Sequence, residues 1–153
     1  MKASASSKSP AYWTRAKRHL SATDPVLGTL ITRYKGLTLA SRGDAFQTLA
    51  RSIVGQQISV KAAQSVWDRF AVAVGDIQPK YVLKLSEIQL RGCGLSGQKV
   101  KYLRDLSERF AGGALDVERW HDMDDETLIT DLTQVKGIGR WTAEMFLIFY
   151  LTR

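Results

Sequence analysis

The stretch Leu132–Thr142 decides the fold, and it reads Leu-Thr-Gln-Val-Lys-Gly-Ile-Gly-Arg-Trp-Thr. A helical pattern that starts at Asp124–Glu126 precedes it, and a second helical pattern, Ala143–Leu151, follows it. The segment between the two patterns is long enough only for a tight reversal of the chain. Its glycines, Gly137 and Gly139, can adopt backbone angles that are closed to other residues, and they let another molecule approach the backbone closely.

The reversal also places the start of a helix at Gly139 and Arg140. The first turn of a helix has free N–H groups, and the positive end of the helix dipole points the same way. The backbone there can bind an anion, and Lys136 and Arg140 add full charges. We therefore predict a helix–hairpin–helix whose phosphate-binding residues are Lys136, Gly137, Gly139 and Arg140. An ordinary helical turn that contains two glycines is the alternative interpretation.

The composition indicates a globular chain with an uneven positive charge. Its 153 residues are 44% apolar and 24% charged, which suits one domain with a hydrophobic core. The net charge of +7 favours a polyanionic partner, but residues 1–22 contain five basic residues and no acid. The single cysteine, Cys93, excludes an internal disulfide and a four-cysteine iron–sulfur cluster. The longest apolar run, Met145–Leu151, is far too short to span a bilayer, so we expect no membrane partner.

Helix start signals recur along the rest of the chain. The predicted starts are Pro10, Thr23-Asp24-Pro25, Gly43-Asp44, Ser59, Ser86-Glu87 and Ser96–Lys99. Two apolar stripes at helical spacing are predicted to be buried: Phe46, Leu49, Ala50 and Ile53, and then Val60, Ala63, Val66, Trp67, Phe70 and Val74. No strand-like alternation persists, so the predicted fold is all-α. Residues 1–20 are predicted to be a basic tail or short helix, and residues 21–153 a helical domain.

Six carboxylates lie between Asp116 and Glu126. Paired acids can bind a metal or exchange protons, but here they crowd a predicted helix N-terminus, where the helix dipole favours negative charge. Because they would also repel DNA, we expect this surface to face away from it.

Three motifs together resemble one family of DNA repair enzymes. The hairpin, the Arg140-Trp141-Thr142 that follows it and the upstream Gly55-Gln56-Gln57 are similar to the DNA-3-methyladenine glycosylase II family, within the helix–hairpin–helix DNA glycosylases. The resemblance covers about residues 20–153. It implies an all-α glycosylase domain that binds double-stranded DNA with alkylated bases and hydrolyses the bond between a damaged purine and its sugar. It further implies a monomer that works in the cytoplasm of a bacterium or the nucleus of a eukaryote.

Such chemistry requires the target base to leave the stack, and the resemblance assigns residues to each task. Gln57 matches the position that is inserted into the duplex and Gln56 its neighbour, so both are predicted as the DNA wedge; polar turn residues are the alternative. Trp141 matches a base-pocket tryptophan, whose indole face attracts a cationic alkylated purine. Met145 lies one helical turn further on, on the same helix face. A core tryptophan is the alternative for Trp141.

The resemblance also implies further contacts and one reaction type. Ser59 and Lys99 are predicted phosphate ligands, with a solvated basic face as the alternative for Lys99. A monovalent cation, Na⁺ or K⁺, is implied at the main-chain carbonyls of Thr133, Val135 and Ile138, and no other cofactor is expected. Relatives that also cut the strand have a lysine where this chain has Trp141, and that lysine forms a Schiff base. The resemblance therefore implies base removal alone.

One family feature has no match in this sequence. The catalytic aspartate of the family lies about twenty residues beyond the hairpin, which is past Arg153, and Glu144 need not face the same pocket as Trp141. We therefore expect the chain as given to be inactive or nearly so, and we expect the apolar Met145–Leu151 to be enclosed by further helices, from its own missing C-terminal part or from another chain. A non-catalytic module that binds damaged DNA and a general helix–hairpin–helix scaffold remain the alternatives.

Overall fold

The structure, a computed structural model, describes residues 9–41 and 43–153. The helices are α1 (Trp13–Thr23), α2 (Pro25–Arg33), α3 (Ala45–Gly55), α4 (Val60–Val74), α5 (Pro79–Val82), α6 (Glu87–Gly92), α7 (Gly97–Ala111), α8 (Asp125–Thr133) and α9 (Arg140–Phe146). A 3-10 turn covers Arg119–His121, and a π-helical turn, Leu147–Leu151, continues α9. No strand occurs in the two described ranges, which confirms the all-α prediction. Residues 1–8 of the predicted basic tail lie outside these ranges, and α1 covers most of the remainder of that segment.

Side-chain caps start most of the longer helices where the sequence predicts them. The Asp24 carboxylate accepts hydrogen bonds from the N–H groups of Val26 and Leu27, with Pro25 as the first helical residue. Asp44, Ser59, Ser96 and Asp124 cap α3, α4, α7 and α8 in the same way. Each such cap stabilises a helix by about 1 kcal/mol. The first helix begins at Trp13, three residues later than predicted.

Helix α3 lies at the centre of the core. Its predicted stripe of Phe46, Leu49, Ala50 and Ile53 is at most 2% exposed. It packs against α4, α7 and α9, so it joins the first half of the chain to the hairpin. The indole of Trp120 fills the space beside this core, edge-on to Phe110 and Phe146. The sequence analysis did not predict this buried tryptophan, because it lies in a short turn inside the acidic segment.

One burial prediction is wrong. Val60 is 88% exposed, because it is the first residue of α4 and lies beside the exposed loop rather than on the inner face. Phe149 is 41% exposed, whereas Phe146 and Leu147 are buried, so the described residues enclose the apolar segment Met145–Leu151 on one side only, and its enclosure by further helices stays a prediction.

The N-terminal helices differ from the rest of the fold. Helices α1 and α2 pack on each other, and neither contains a buried residue. None of the helices that the structure describes has the length and hydropathy that a bilayer-crossing segment needs.

Candidate functional site

The hairpin between α8 and α9 needs a glycine at only one of its two glycine positions. Gly137 has φ +84°, and a Cβ atom there would lie 2.1 Å from the ring of Tyr102 on α7. Gly139 has φ −93°, which any residue adopts, and the space around it is open. The prediction that both glycines use angles closed to other residues is therefore wrong for Gly139. The remaining physical role for a glycine there is to leave the backbone accessible.

Helix α7 holds the hairpin in place through Asp105 and Tyr102. Asp105 Oδ2 accepts hydrogen bonds from the Lys136 N–H, at 3.0 Å, and from Arg109 Nε, at 3.0 Å. Burial would raise the pKa of Asp105, but the Lys136 amide and the positive charges of Arg109 and Lys136 outweigh it and hold the pKa below its usual value. Sequence reasoning missed Asp105. The signal that could have revealed it is the shared helix face of Tyr102, Asp105 and Arg109.

The two charged residues of the hairpin are placed differently from each other. The Lys136 side chain is 70% exposed, with its Nζ 3.6 Å from Asp105 Oδ1, so the ammonium group faces solvent. The Arg140 guanidinium donates to both carboxylate oxygens of Glu126 and, at 2.9 Å, to Glu144 Oε1. The Glu126 carboxylate raises the pKa of Arg140, and Glu144 adds to that effect. The positive charge of Arg140 is therefore offset within the protein.

These ion pairs also correct the prediction about the acidic segment. Glu126 belongs to that segment, yet it lies beside the hairpin instead of facing away from it. Glu144 is bound as a counter-ion of Arg140, which does not suit it to act as a base.

The start of α9 keeps its backbone donors available. Gly139 precedes the helix without a side-chain cap. The N–H groups of the first helical turn have no partners within the helix, so those of Arg140 and Trp141 can bind an anion. The Lys136 N–H differs from them, because it is already bonded to Asp105.

The loop between α3 and α4 presents one glutamine and holds the other. Gln57 is exposed and has φ +57°, a left-handed conformation that is uncommon outside glycine. Gln56 is partly buried, and its Nε2 donates to the Gly137 carbonyl at 2.7 Å. The structure therefore separates the two residues of the predicted wedge. Gln57 is exposed, whereas Gln56 is bonded to the hairpin. Ser59 caps α4 as predicted, its hydroxyl accepting from the Ala62 N–H at 3.3 Å.

The side chain of Lys99 points into the protein. Its Nζ donates to the Val54 carbonyl at 2.8 Å, in the last turn of α3. Burial lowers the pKa of Lys99. The prediction for Lys99 is a contact with a DNA phosphate. In the structure its ammonium group instead binds the C-terminal end of α3, where the helix dipole favours a cation.

A cleft of about 580 Å³ opens between α3 and α9. Its lining is Gly43, Asp44, Gln47, Thr48, Leu49, Arg51, Ser52, Trp67, Thr142, Met145, Phe146 and Phe149. Among the residues that the structure describes, Met145 is part of this lining and Trp141 is not. Trp141 is 69% exposed beside the hairpin, so the alternative of a core tryptophan is wrong.

The cleft lining contains a different tryptophan, Trp67, which sequence reasoning assigned to the core alone. The Trp67 indole is 8% exposed, and the guanidinium of Arg51 lies 5.3 Å from its ring centroid. No signal in the sequence distinguished it from the buried stripe on α4. Asp44 is a carboxylate in the lining, and it accepts a hydrogen bond from the Gln47 N–H.

The carbonyls predicted to hold a cation lie in the hairpin itself. The Val135 carbonyl accepts the Ile138 N–H at 3.0 Å, which leaves one of its two lone pairs free. Within the described residues, no three His, Cys, Asp or Glu side chains cluster as metal ligands.

Known proteins match this chain along most of its length. The family model of the HhH-GPD superfamily base excision DNA repair protein matches residues 50–144, from the core of α3 to α9. The DNA-3-methyladenine glycosylase 1 of Schizosaccharomyces pombe is 33% identical over 92% of this chain, and the DNA-3-methyladenine glycosylase of Saccharomyces cerevisiae is 37% identical over 72%. The chain spans 64% of the first relative and 40% of the second.

A solved structure gives the same result for the fold. The S. pombe 3-methyladenine DNA glycosylase Mag1, determined in complex with abasic DNA, aligns with a TM-score of 0.76 and 31% identity. The alignment covers 91% of this chain and 71% of that structure. With the helical fold, the hairpin and the family match in agreement, the chain belongs to the HhH-GPD superfamily of base excision DNA repair proteins.

Proposed function

We propose that this chain binds duplex DNA through its hairpin and acts in the excision of alkylated purines such as 3-methyladenine. In this role the target nucleotide leaves the helix, and the bond between base and sugar is hydrolysed. One observation carries the proposal: an exposed indole, Trp141, directly follows a hairpin whose backbone donors are open. The relatives named glycosylases of 3-methyladenine support the choice of substrate.

The hairpin would grip the DNA backbone. The N–H groups at the start of α9 would bind a phosphate oxygen, because the helix dipole and the free donors point the same way. The exposed ammonium group of Lys136 would add a charge contact to a neighbouring phosphate. Gly139 leaves space for the phosphate to approach the backbone.

Gln57 would fill the space that the extruded nucleotide leaves. It is exposed in the loop between two packed helices, and its backbone has a left-handed conformation. Backbone strain of this kind is found at sites that bind ligands, where the surrounding structure maintains it. The abasic DNA bound by the solved relative is the kind of ligand that such a plug suits.

Trp141 and Met145 would receive the damaged base. Alkylation at a purine ring nitrogen leaves the base positively charged, and an indole face attracts such a cation by about 0.5–2 kcal/mol. Met145 lines the cleft one turn further along the same helix, so the base would contact the mouth of the cleft after leaving the duplex. Because an indole cannot form a Schiff base, this residue supports hydrolysis without strand cleavage.

A monovalent cation fits the same hairpin. The carbonyls of Thr133, Val135 and Ile138 would hold it, since carbonyl oxygens are suitable ligands for Na⁺ or K⁺ and the Val135 carbonyl keeps a free lone pair. The ion would add positive charge where the phosphate binds.

Binding and base release test the proposal in two stages. In the first, fluorescence anisotropy compares the affinity of the chain for a duplex with a tetrahydrofuran abasic analogue and for the intact duplex. We expect tighter binding to the abasic duplex, and equal affinities would overturn the proposal. In the second, methylated DNA is incubated with the chain and the release of free 3-methyladenine is measured by chromatography.

The release assay also shows whether the chain as given acts as an enzyme or as a non-catalytic module that binds damaged DNA, and the sequence predicts little or no release from it. The carboxylates near the site favour the module as the second candidate, because Glu144 is bound to Arg140 and Asp44 caps α3. Release above the rate without protein supports the enzyme. Preferential abasic binding without any release supports the module.

A further inference from the structure

A single side chain connects the loop that carries Gln57 to the hairpin. Gln56 Nε2 donates to the Gly137 carbonyl at 2.7 Å, and the two residues are 81 positions apart in the sequence. Both partners are at least partly buried, so water competes poorly for this bond. The bond therefore fixes the distance between the two segments that the proposed function assigns to the plug and to the phosphate grip.

The hairpin end of this bond is held rigidly by α7. Gly137 lies against the ring of Tyr102 in a conformation that only glycine adopts easily. The neighbouring Lys136 N–H is bonded to Asp105. The Gly137 carbonyl therefore has a fixed position without any help from Gln56.

The other end is held at the C-terminus of α3. Lys99 Nζ donates to the Val54 carbonyl at 2.8 Å, two residues before Gln56. The Gln56 N–H donates to the Ile53 carbonyl at 3.3 Å, which closes the last turn. The chain leaves this anchored turn directly into Gln57.

Gln57 itself has no such support from its own backbone. Its φ of +57° is unfavourable for a residue other than glycine, and the conformation persists only where neighbours determine it. Gln56, directly before it, and Ser59, which caps α4, are the two bonded residues on either side. Of these, only Gln56 reaches the hairpin.

From these contacts we infer that Gln56 is a positioning residue, which sets the place of Gln57 relative to the hairpin and does not insert into DNA itself. The inference rests on the proposed function. It predicts that Gln57 and the hairpin engage the DNA together. The Gln56 bond therefore favours binding of an abasic duplex, in which a base is missing and Gln57 can fill the gap. Binding of an intact duplex, which offers no gap, does not depend on it.

The test is a double-mutant cycle on the ratio of affinities for abasic and intact duplexes. Gln56→Met keeps the length of the side chain and removes the donor, Gln57→Ala removes the plug, and a third variant combines both. We expect each single variant to lower the ratio by about threefold to tenfold, and the combined variant to lower it no further than Gln57→Ala alone. Gln78→Met is the matched control, because Gln78 is an exposed glutamine outside the hairpin whose Nε2 donates to Asp76, and its ratio should not change.

The outcomes separate this inference from the proposed function. If the wild-type chain does not prefer abasic DNA, the proposed function fails, and the inference fails with it. If Gln57→Ala lowers the ratio and Gln56→Met does not, the inference alone is overturned. Effects of the two substitutions that multiply in the combined variant also overturn it, because Gln56 would then act independently of Gln57.

A second variant keeps the test valid if Gln56→Met does not fold, as judged by circular dichroism. Gln56→Glu has the same shape, and at neutral pH its carboxylate cannot donate to the Gly137 carbonyl. The added negative charge weakens binding to both duplexes alike, so the ratio reports the missing bond. An unchanged ratio for Gln56→Glu would overturn the inference.

Discussion

The hairpin and the α1–α2 pair are both made of two short helices, yet they are anchored very differently. The hairpin is bonded to α7 through Asp105, packed on Tyr102 and bonded to the end of α3 through Gln56. Helices α1 and α2 contain no buried residue and pack mainly on each other. Helix α1 has no side-chain cap, but α2 is capped by Asp24, which accepts hydrogen bonds from two backbone N–H groups.

The difference teaches that capping residues and apolar spacing are enough to form a pair of helices. Contacts with other helices are needed to give such a pair a fixed surface for binding. A segment that binds a ligand by its backbone must have a fixed shape before the ligand arrives. The hairpin meets that condition through side chains on α7 and α3, none of which lies within the hairpin motif.

Replacing one leucine by alanine in the hairpin and one in the α1–α2 pair should give the largest difference in the free energy of unfolding. Leu128 on α8 is fully buried, and Leu128→Ala should lower the free energy of unfolding by about 3–5 kcal/mol. Leu30 on α2 is 44% exposed, so Leu30→Ala should cost less than about 1 kcal/mol. Urea denaturation measures both. Equal losses would mean that the α1–α2 pair is as firmly anchored as the hairpin.

The two hairpin glycines should separate folding from binding. Gly137→Val should lower the free energy of unfolding by about 2–5 kcal/mol, because it adds backbone strain and a clash with Tyr102, and it should weaken binding to any duplex. Gly139→Ala is the matched control and should leave stability unchanged. Its methyl group should still weaken DNA binding, since it projects where a phosphate would approach. Anisotropy and thermal melting measure both effects, and unchanged DNA binding by Gly139→Ala would count against the grip.

Removal of the Asp105 charge should loosen the hairpin in a pH-dependent way. The folded state lowers the pKa of Asp105, so its contribution is present above the ordinary aspartate pKa and is lost as pH falls through the lowered value. Asp105→Ala should cost about 1–3 kcal/mol at neutral pH and less in acid. Denaturation at pH 7 and near pH 3 measures this. A cost that does not shrink in acid would show that the charge is not responsible.

The exposed indole should have the smallest effect on folding. Trp141 is 69% exposed, so Trp141→Ala should change the free energy of unfolding by less than about 0.5 kcal/mol. It should nevertheless weaken binding of a duplex that contains a cationic alkylated purine, with little effect on an undamaged one. Anisotropy with the two duplexes measures the difference. A large loss of stability would place this residue in the core instead.

The sequence predicted the helices well because their signals are local. Capping residues and apolar spacing located α2, α3, α4, α7 and α8 within a few residues. The central stripe from Phe46 to Ile53 was predicted for the same reason. The exposed Trp141 and the left-handed Gln57 also lie where the motifs suggested, although their roles stay predictions.

The parts that the sequence did not predict depend on contacts between distant residues. Periodicity could not indicate that Lys99 turns toward Val54 or that Arg140 is shared by Glu126 and Glu144. The role of Asp105 depends on a different helix, since α7 ends at Ala111, 26 positions before Gly137, and an acidic segment lies between them. Ion pairs and side-chain bonds of this kind become visible only in the fold.

Amide chemical shifts provide the most direct test of the central claim, which is that the hairpin backbone binds the DNA. The measurement is a titration of the ¹⁵N-labelled chain with an abasic duplex. We expect the largest shifts at Gly137, Gly139, Trp141 and Gln57, with the amides of α1 and α2 little changed. Shifts confined to α1 and α2, with those four amides unmoved, would contradict it.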